Sequence, residues 1–350
     1  MAYTTINKPN THFNPFIYTG GSGNTAQTGV GFQPDLVWIK NRTQIDNHSF
    51  TDVIRGARSS MSCNTTDASD TNASAYLVSL DSDGFTTSDT DVVGKNGETY
   101  ASWNWKAGGT AVSNTAGSIT SSVSANTTSG FSIVSYTGTG ASATVGHGLG
   151  VAPNVIITKK TNGTVQWNFQ NSMLGYSQYM ALNTNEAAQA TGGAIISSVS
   201  STTYSCDGND VVNASSGTYV SYCFANVKGF SKFGSYLGNG STDGTFVYTG
   251  FKPAFVMLKK TNSATSADWQ IQDNKRGTAG GFNPLPRYLE ANTSNAEVDW
   301  TGSFQLDFVS NGFKFRTNSN QMNNSGDTYI YMAFAEAPIV GSNNVPANAR

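Results

Sequence analysis

The chain has 350 residues, of which only 12% are Asp, Glu, Lys or Arg, while 37% are hydrophobic and 11% aromatic. A formal net charge of −2 gives no electrostatic reason to bind nucleic acid or an anionic membrane. No apolar run reaches the roughly 18 residues of a membrane-spanning helix. The first residues, MAYTTINKPN, lack the basic-then-apolar pattern of a signal peptide, so we expect synthesis in a cytosol.

A sequence pattern occurs three times along the chain. Each copy has a proline that opens a short apolar run, as in PDLVWIK, PNVIITK and PAFVMLK, and the prolines are 119 and 100 residues apart. A Tyr precedes each proline by 16 or 17 residues, and an Asn-Thr pair follows, with 21 residues from its Asn to an aromatic residue. The landmarks are Tyr18, Pro34, Asn64 and Phe85; Tyr136, Pro153, Asn183 and Tyr204; and Tyr236, Pro253, Asn292 and Phe313. This spacing predicts three copies of one domain-sized unit, because the period is too long for a solenoid.

The residue pattern within each copy predicts β-strands. The apolar runs are β-branched or aromatic, and the segment from Tyr329 to Phe334 alternates with a period of two. Asp83-Gly84 and Asn311-Gly312 predict tight hairpins, whereas the second copy has Thr202-Thr203 there and must close its hairpin differently. Many short strands with polar turns are typical of antiparallel sandwiches. We therefore predict an all-β protein of three tandem antiparallel β-sandwich domains that arose by internal triplication.

The repeat edges define the domain boundaries. We predict repeat 1 at residues 1–107, a Gly/Ser/Thr-rich bridge at 108–130, repeat 2 at 131–228, repeat 3 at 229–338 and a C-terminal tail at 339–350. Helix is expected only at residues 183–190, where two turns could follow an Asn cap.

The sequence offers little for catalysis or metal binding. The three histidines have no Cys or second His at a metal-ligand spacing, which disfavours a zinc site. His147 lies in the segment GHGLG, for which we predict a turn. Four residues near the hairpins either line a calcium site or serve the turns, and the turn is favoured. They are Asp81, Asp83, Asp307 and Asn311. The three cysteines do not suggest a disulfide framework.

The best candidates for ligand recognition are aromatic residues with polar neighbours. Trp167 and Trp269 align with His48, and four residues further along stand Asn171, Asp273 and Asp52. A ring beside amide or carboxylate groups suits a sugar, which needs a face for stacking and partners for its hydroxyls. The alternative is that the tryptophans fill the core. Since one copy has His at this position, we predict that Trp167 and Trp269 are partly exposed.

Several strings resemble a family of virion proteins from tailed phages of marine bacteria. They include MAYTTI, PDLVWIKNR, DSDGFTT, YASWNWKAGGTAVSNT and YIYMAFAE, and the resemblance covers nearly the whole chain. It implies a jelly-roll or lectin-like (concanavalin-type) sandwich and a place on the virion, but no catalytic residues.

Three functions follow, in order of preference. The first is a non-enzymatic tail-fibre-like or appendage protein that attaches to host glycans. The second is a capsid decoration, knob or head-fibre protein that binds the major capsid protein. The third is a glycan depolymerase. For the first two we expect assembly in the host cytoplasm, homo-oligomers and contacts with other virion proteins, since linked weak sites gain avidity.

Overall fold

The computed structural model describes residues 3–72, 74, 76–190, 195–262, 267–277, 283–300 and 305–340. Over these residues the protein is all-β, as predicted, and the strands within its sheets all pair antiparallel. The only helical element described is one 3-10 turn at Pro9–Thr11. No helix in the described ranges has the length and apolarity needed to cross a membrane.

Repeat 1 contributes seven strands. They are β1 (Phe13–Thr19), β2 (Thr25–Thr28), β3 (Leu36–Asn41), β4 (Ser49–Asp52), β5 (Leu77–Asp81), β6 (Gly84–Thr87) and β7 (Thr99–Trp105). A larger sheet has the order β1-β7-β3-β4, and a three-stranded sheet has the order β2-β6-β5.

The bridge and repeat 2 share one large sheet. The bridge holds β8 (Val112–Asn114) and β9 (Ser121–Asn126). Repeat 2 holds β10 (Phe131–Thr137), β11 (Ala143–Gly146), β12 (Val155–Lys160), β13 (Asn168–Asn171), β14 (Gln178–Ala181), β15 (Gln189–Ala190), β16 (Ile196–Val199), β17 (Thr203–Cys206) and β18 (Thr218–Phe224). The sheet orders are β15-β14-β13-β12-β18-β10-β9-β8 and β11-β17-β16.

Repeat 3 forms the last two sheets. Its strands are β19 (Ser231–Leu237), β20 (Phe246–Tyr248), β21 (Phe251–Lys260), β22 (Gln270–Asp273), β23 (Arg287–Glu290), β24 (Val298–Asp299), β25 (Leu306–Val309), β26 (Gly312–Phe315) and β27 (Thr328–Pro338). The orders are β19-β27-β21-β22-β23-β24 and β20-β26-β25. Four strands of the large sheet thus follow the same order in each repeat: β1-β7-β3-β4, β10-β18-β12-β13 and β19-β27-β21-β22.

The predicted hairpins form where the turn residues indicated. Two residues connect β5 to β6 and β25 to β26, at the Asp-Gly and Asn-Gly turns. In repeat 2 three residues connect β16 to β17, and the hydroxyl of Ser200 accepts the backbone N–H groups of Thr202 and Thr203. This hairpin therefore closes differently, as predicted.

Two local predictions are wrong. Residues 183–190 form a turn and the short strand β15 rather than a helix, because the side chain of Asn183 accepts the backbone N–H of Trp167 instead of capping a helix. The bridge is not a simple linker, because β9 pairs with β10 along five residues and buries Val123. Residues 341–350 of the predicted tail lie outside the described residues.

Both faces of the larger sheets are buried. Along β27 the two faces alternate as predicted: Tyr329 and Tyr331 pack in a core within repeat 3, whereas Met332 and Phe334 point the other way. The second face belongs to a central core that takes apolar side chains from all three repeats. The repeats are therefore packed against one another through the outer faces of their larger sheets.

Replacing Phe255 with Ala should lower the free energy of unfolding by about 3–5 kcal/mol, as large aromatic deletions in cores do. Phe255 is 1% exposed and its ring packs against rings from two repeats, including Trp103 and Phe334. Urea unfolding followed by tryptophan fluorescence measures the change. Phe246→Ala is the matched control, because Phe246 is 44% exposed, and it should change stability by less than about 0.5 kcal/mol. Equal losses in the two variants would contradict the central core.

Candidate functional site

All six predicted recognition residues lie in the central contact region between repeats. His48, Trp167 and Trp269 stand just before or at the start of equivalent strands, and Asp52, Asn171 and Asp273 end them. None of the six is more than 2% exposed. The predicted partial exposure of the two tryptophans is therefore wrong, because the sheet face that carries them is covered by the next repeat rather than by solvent.

The three ring residues form a closed set of hydrogen bonds between repeats. Trp167 Nε1 donates to the backbone oxygen of Ser62 in repeat 1, over 3.0 Å. Trp269 Nε1 donates to the oxygen of Ala181 in repeat 2, over 3.1 Å.

His48 completes the set. Its Nε2 lies 3.0 Å from the backbone oxygen of Glu290 in repeat 3. The three acceptors all stand two residues before the repeated Asn, so the contacts are equivalent and run from repeat 2 to 1, 3 to 2 and 1 to 3.

The repeated Asn residues anchor the same positions within each repeat. The side-chain oxygens of Asn64, Asn183 and Asn292 accept the backbone N–H groups of His48, Trp167 and Trp269, over 2.8–3.0 Å. Each Asn thus fixes the ring residue of its own repeat in position to reach the next repeat.

A second closed set joins the backbones. Ser69 N–H donates to Thr161 oxygen, Ala188 N–H to Thr261 oxygen and Glu297 N–H to Arg42 oxygen, over 2.8–2.9 Å. Donors and acceptors again stand at equivalent repeat positions. In the last contact Arg42 also forms a two-point ion pair with Glu297. Each junction between repeats therefore has a backbone hydrogen bond in addition to the ring contact.

His48 can replace a tryptophan because its neighbour is larger. Trp38 Nε1 donates to His48 Nδ1 over 2.8 Å, and the equivalents of Trp38 are Ile157 and Met257. In repeat 1 a large residue, Trp38, packs beside the smaller ring of His48. In the other two repeats a smaller residue at the first position packs beside a tryptophan at the second. Since Nδ1 accepts, Nε2 carries the proton, which fixes a neutral imidazole. Burial is the main reason that the pKa of His48 falls to about 3, with the nearby charge of Lys40 as a smaller cause.

Asp52 and Asp273 accept hydrogen bonds across two of the junctions. Asp52 Oδ2 accepts from Tyr222 of repeat 2 over 2.7 Å, and Asp273 Oδ2 accepts from Trp103 Nε1 of repeat 1 over 2.9 Å. Each carboxylate also pairs with an arginine three residues further on, Arg55 or Arg276, over 2.6–2.7 Å. Such buried carboxylates are tolerated because charge and hydrogen bonds are both satisfied.

The third junction has no charged residue at the same positions. Repeat 2 has Asn171 in place of the carboxylate and Leu174 in place of the arginine. The equivalent of Tyr222 and Trp103 is Met332, which has no N–H or O–H to donate. An aspartate at position 171 would therefore lack both partners, which explains why the acidity is lost together with the arginine.

Three equivalent lysines are buried beside these junctions. Lys40, Lys159 and Lys259 are at most 1% exposed, and burial lowers the pKa of each to about 8. Their ammonium groups donate to backbone oxygens, and two of them cross to the next repeat, Lys159 to Thr66 and Lys259 to Asn185, over 3.1 Å. The bonds of Lys159 and Lys259 are therefore further connections between repeats.

The cavity that the described residues form in the central core is small. A cavity of about 10 Å³ lies among apolar residues of all three repeats, including Trp38, Ile157 and Met257. This volume is at the lower limit for one water molecule, and the lining is apolar. The six candidates therefore act as packing and hydrogen-bonding groups in this structure.

The calcium candidates lie in two different repeats and bond locally. Asp83 accepts the backbone N–H groups of Gly29 and Gly31, and Asp81 accepts from Thr86. Asp307 pairs with Arg316. Within the described ranges no three His, Cys, Asp or Glu side chains are grouped to hold a metal ion.

His147 and the cysteines are structural. His147 lies in the irregular segment that follows β11, and its Nδ1 accepts the backbone N–H of Leu149. Cys63, Cys206 and Cys223 are free and buried.

The sequence contained a signal for these junctions that sequence reasoning missed. The spacing Asp-x-x-Arg occurs in repeats 1 and 3, whereas repeat 2 has Asn-x-x-Leu, and the donors Tyr222 and Trp103 change to Met332 in parallel. Such coupled changes between copies indicate contact between copies.

A family model, described as a domain of unknown function (DUF7483), matches residues 8–338. No curated protein and no solved structure matches the chain.

Trp167→Phe and Trp269→Phe should each destabilise the fold by about 1–3 kcal/mol more than a matched change of volume, because each leaves a buried carbonyl without its donor. Trp105→Phe is the matched control, since Trp105 is also buried in the central core and its Nε1 has no hydrogen-bond partner. Urea unfolding measures all three. If Trp105→Phe lowers the free energy of unfolding as much as the other two variants do, the hydrogen bonds are not the cause of the loss.

Acid should destabilise the protein through His48. The unfolded chain binds this proton below a pKa of about 6.5, whereas the folded protein binds it only near 3, so stability falls as the pH drops through that window. Between pH 7 and pH 5 we expect a loss of about 2 kcal/mol from this residue.

The double variant Trp38→Ile, His48→Trp is the control for this effect. It copies the pair found in repeat 2 and removes the titrating group. Chemical denaturation at the two pH values should show a smaller loss for the variant, by about 2 kcal/mol. The same loss in both proteins would exclude His48 as the cause.

Proposed function

The chain belongs to the family described as DUF7483, and we propose that it is a non-enzymatic structural protein of a tailed-phage virion, seated on the capsid as a decoration, knob or head-fibre protein. The observation that supports this order of preference is the burial of Trp167 and Trp269. These two tryptophans were the main reason to expect glycan attachment. They instead join neighbouring repeats, which favours a structural role over attachment.

The repeats, on this proposal, are three copies of one lectin-like sandwich unit produced by internal triplication. Support comes from the recurring strand order and from the two closed sets of hydrogen bonds, which run through all three junctions. Cyclic arrangements close without leaving an unpaired junction. One chain then presents three similar outer surfaces, which suits a body that contacts several neighbouring capsid subunits.

The partners proposed are the major capsid protein and further copies of this chain, with assembly in the host cytoplasm. The low share of charged residues and the net charge of −2 support a protein that binds neither nucleic acid nor an anionic membrane.

Electron microscopy of purified particles tests the location. We expect density for the protein on the outer capsid surface, checked by labelling with antibodies against the purified chain. Density at the tail would favour the attachment proposal over the decoration proposal. Absence of the protein from purified particles would reject both.

Attachment is the second candidate, and a different pair of aromatics supports it. Phe246 and Tyr248 lie on β20 with 44% and 50% of their surface exposed, on either side of the buried Val247. Repeats 1 and 2 have Ala26 and Thr28, or Thr144 and Gly146, at these positions. The fold therefore does not require aromatic residues there, and exposed rings suit sugar stacking.

Phe246→Ala with Tyr248→Thr installs the residues of repeat 1 and should abolish binding to host cells if attachment is the function. Stability should change by less than about 0.5 kcal/mol, because both residues are exposed. Trp300→Ala is the control, since Trp300 is also exposed, at 42%, and it should bind normally. Unchanged binding of the double variant would leave attachment without support from this surface.

The depolymerase alternative receives no support from the carboxylates of Asp52 and Asp273. Both are buried and paired with arginine, whereas a glycosidase needs two carboxylates that reach the same glycosidic bond.

A further inference from the structure

An amine, a carboxamide and a carboxylate meet at the end of β21 in repeat 3. The side chain of Lys260 is buried, with 1% of its surface exposed. Its Nζ lies 2.5 Å from Oδ1 of Asn320 and 3.4 Å from Oδ2 of Asp327. A carbonyl bond is about 1.23 Å long, so the carboxamide carbon lies within about 3.7 Å of the amine nitrogen. This is close to the separation at which two groups can react.

The equivalent positions in the other repeats lack one or more of these groups. Repeat 1 has Asn41, Asp91 and Glu98 there, and so has no amine. Repeat 2 has Lys160, Asp210 and Gly217. Lys160 forms an ion pair with Asp210, whose side chain is 58% exposed, and no second carboxylate is present at position 217.

Neither of the other repeats therefore combines the three groups. The comparison also shows that the fold does not depend on the combination, since the same strands form in repeats 1 and 2 without it.

Three further hydrogen bonds surround the reacting groups. Asp327 Oδ2 accepts a hydrogen bond of 2.7 Å from the side chain of Asn324. The hydroxyl of Tyr329 donates to the backbone oxygen of Asn320 over 2.8 Å, and it also accepts the backbone N–H of Asn324. Asn324 thus positions the carboxylate of Asp327. Tyr329 holds the backbone that carries Asn320 and Asn324, as Tyr100 and Tyr219 do at the equivalent positions of the other repeats.

We propose that Lys260, Asn320 and Asp327 form a self-crosslinking site, in which an isopeptide bond joins Nζ of Lys260 to Cγ of Asn320. Asp327 takes a proton from the ammonium group, and the free amine attacks Cγ. Asp327 returns its proton to Nδ2, and the bond from Cγ to Nδ2 breaks to release ammonia. The attacking nitrogen loses its extra proton to this ammonia, which leaves as ammonium. The overall change converts one lysine ammonium and one asparagine amide into one secondary amide and one ammonium ion, with no oxidant or further reactant.

The bond would connect β21 to the loop before β27. Strands β22 to β26 lie between these elements in sequence, and the crosslink would close this part of the chain into a covalent loop. A covalent loop restricts the conformations of the unfolded chain. The crosslink would therefore stabilise the folded protein in the same way as a disulfide. This suits a protein made in a reducing cytosol with three free cysteines.

Intact-mass spectrometry of the purified full-length chain at pH 8 tests the proposal. The wild-type protein should be lighter than its sequence by about 17 Da, the mass of one ammonia, and a protease digest should contain one peptide pair joined through Lys260 and Asn320. Lys260→Arg keeps the charge but removes the nucleophile, and it should have its full sequence mass. Asn320→Ala, a second variant that removes the other partner, should have its full mass as well.

The remaining variants separate crosslinking from other reactions. Asp327→Asn should form the bond at least about 100-fold more slowly, the usual effect of losing an acid-base group. Lys160→Arg in repeat 2 is the matched control and should retain the loss of ammonia. A wild-type protein of full mass after prolonged incubation overturns the proposal. So does a loss of ammonia that persists in Lys260→Arg, since that would come from a succinimide elsewhere. Normal crosslinking in Asp327→Asn would overturn the role of that carboxylate.

Discussion

The structure depends on the burial of both faces of its larger sheets. One face of each sheet covers the small sheet of its own repeat, and the other enters a core shared by three repeats. When a strand is buried on both faces, the polar groups near its ends cannot form hydrogen bonds with water. They need partners within the protein, because an unpaired buried polar group lowers stability by a few kcal/mol. The ring nitrogens of His48, Trp167 and Trp269 solve this problem by bonding to carbonyl oxygens of the next repeat. The same bonds fix how the repeats are placed.

The junctions show that buried polar residues change in coordinated sets. Two junctions contain a carboxylate, an arginine and a donor ring, whereas the third has Asn171, Leu174 and Met332 at the equivalent positions. An intermediate state with one partner missing would leave a buried charge unpaired, which destabilises more than removal of the whole set. The chain therefore contains both stable solutions of one problem. The same compensation accounts for His at position 48, because Trp38 supplies both the missing volume and a hydrogen bond to the imidazole.

The sequence predicted the local structure better than the environment of each face. Period-two alternation gave the two faces of β27 correctly, and the Asp-Gly and Asn-Gly turns gave the hairpins, because both depend on short-range geometry. Alternation does not distinguish a face that meets solvent from one that meets another repeat. The His at position 48 suggested solvent, and for this reason the prediction of partial exposure for Trp167 and Trp269 is wrong. Asn183, which was expected to cap a helix, instead accepts the backbone N–H of Trp167 just before β13. The bridge has low-complexity composition, yet pairing with β10 turns it into strands.

Differences between the repeats separate structural residues from candidates for function. Where a buried position differs, as at His48 or Asn171, a neighbouring position differs in compensation, so packing explains the change. Phe246 and Tyr248 differ on the surface, where no packing requirement explains aromatic rings. Lys260, Asn320 and Asp327 differ as a group, and the fold forms without that group in the other two repeats. A requirement of the fold would appear in all three copies. Combinations of residues that occur in one copy and are not compensated by a neighbour therefore point to chemistry or contact beyond folding, and both such sets lie in repeat 3.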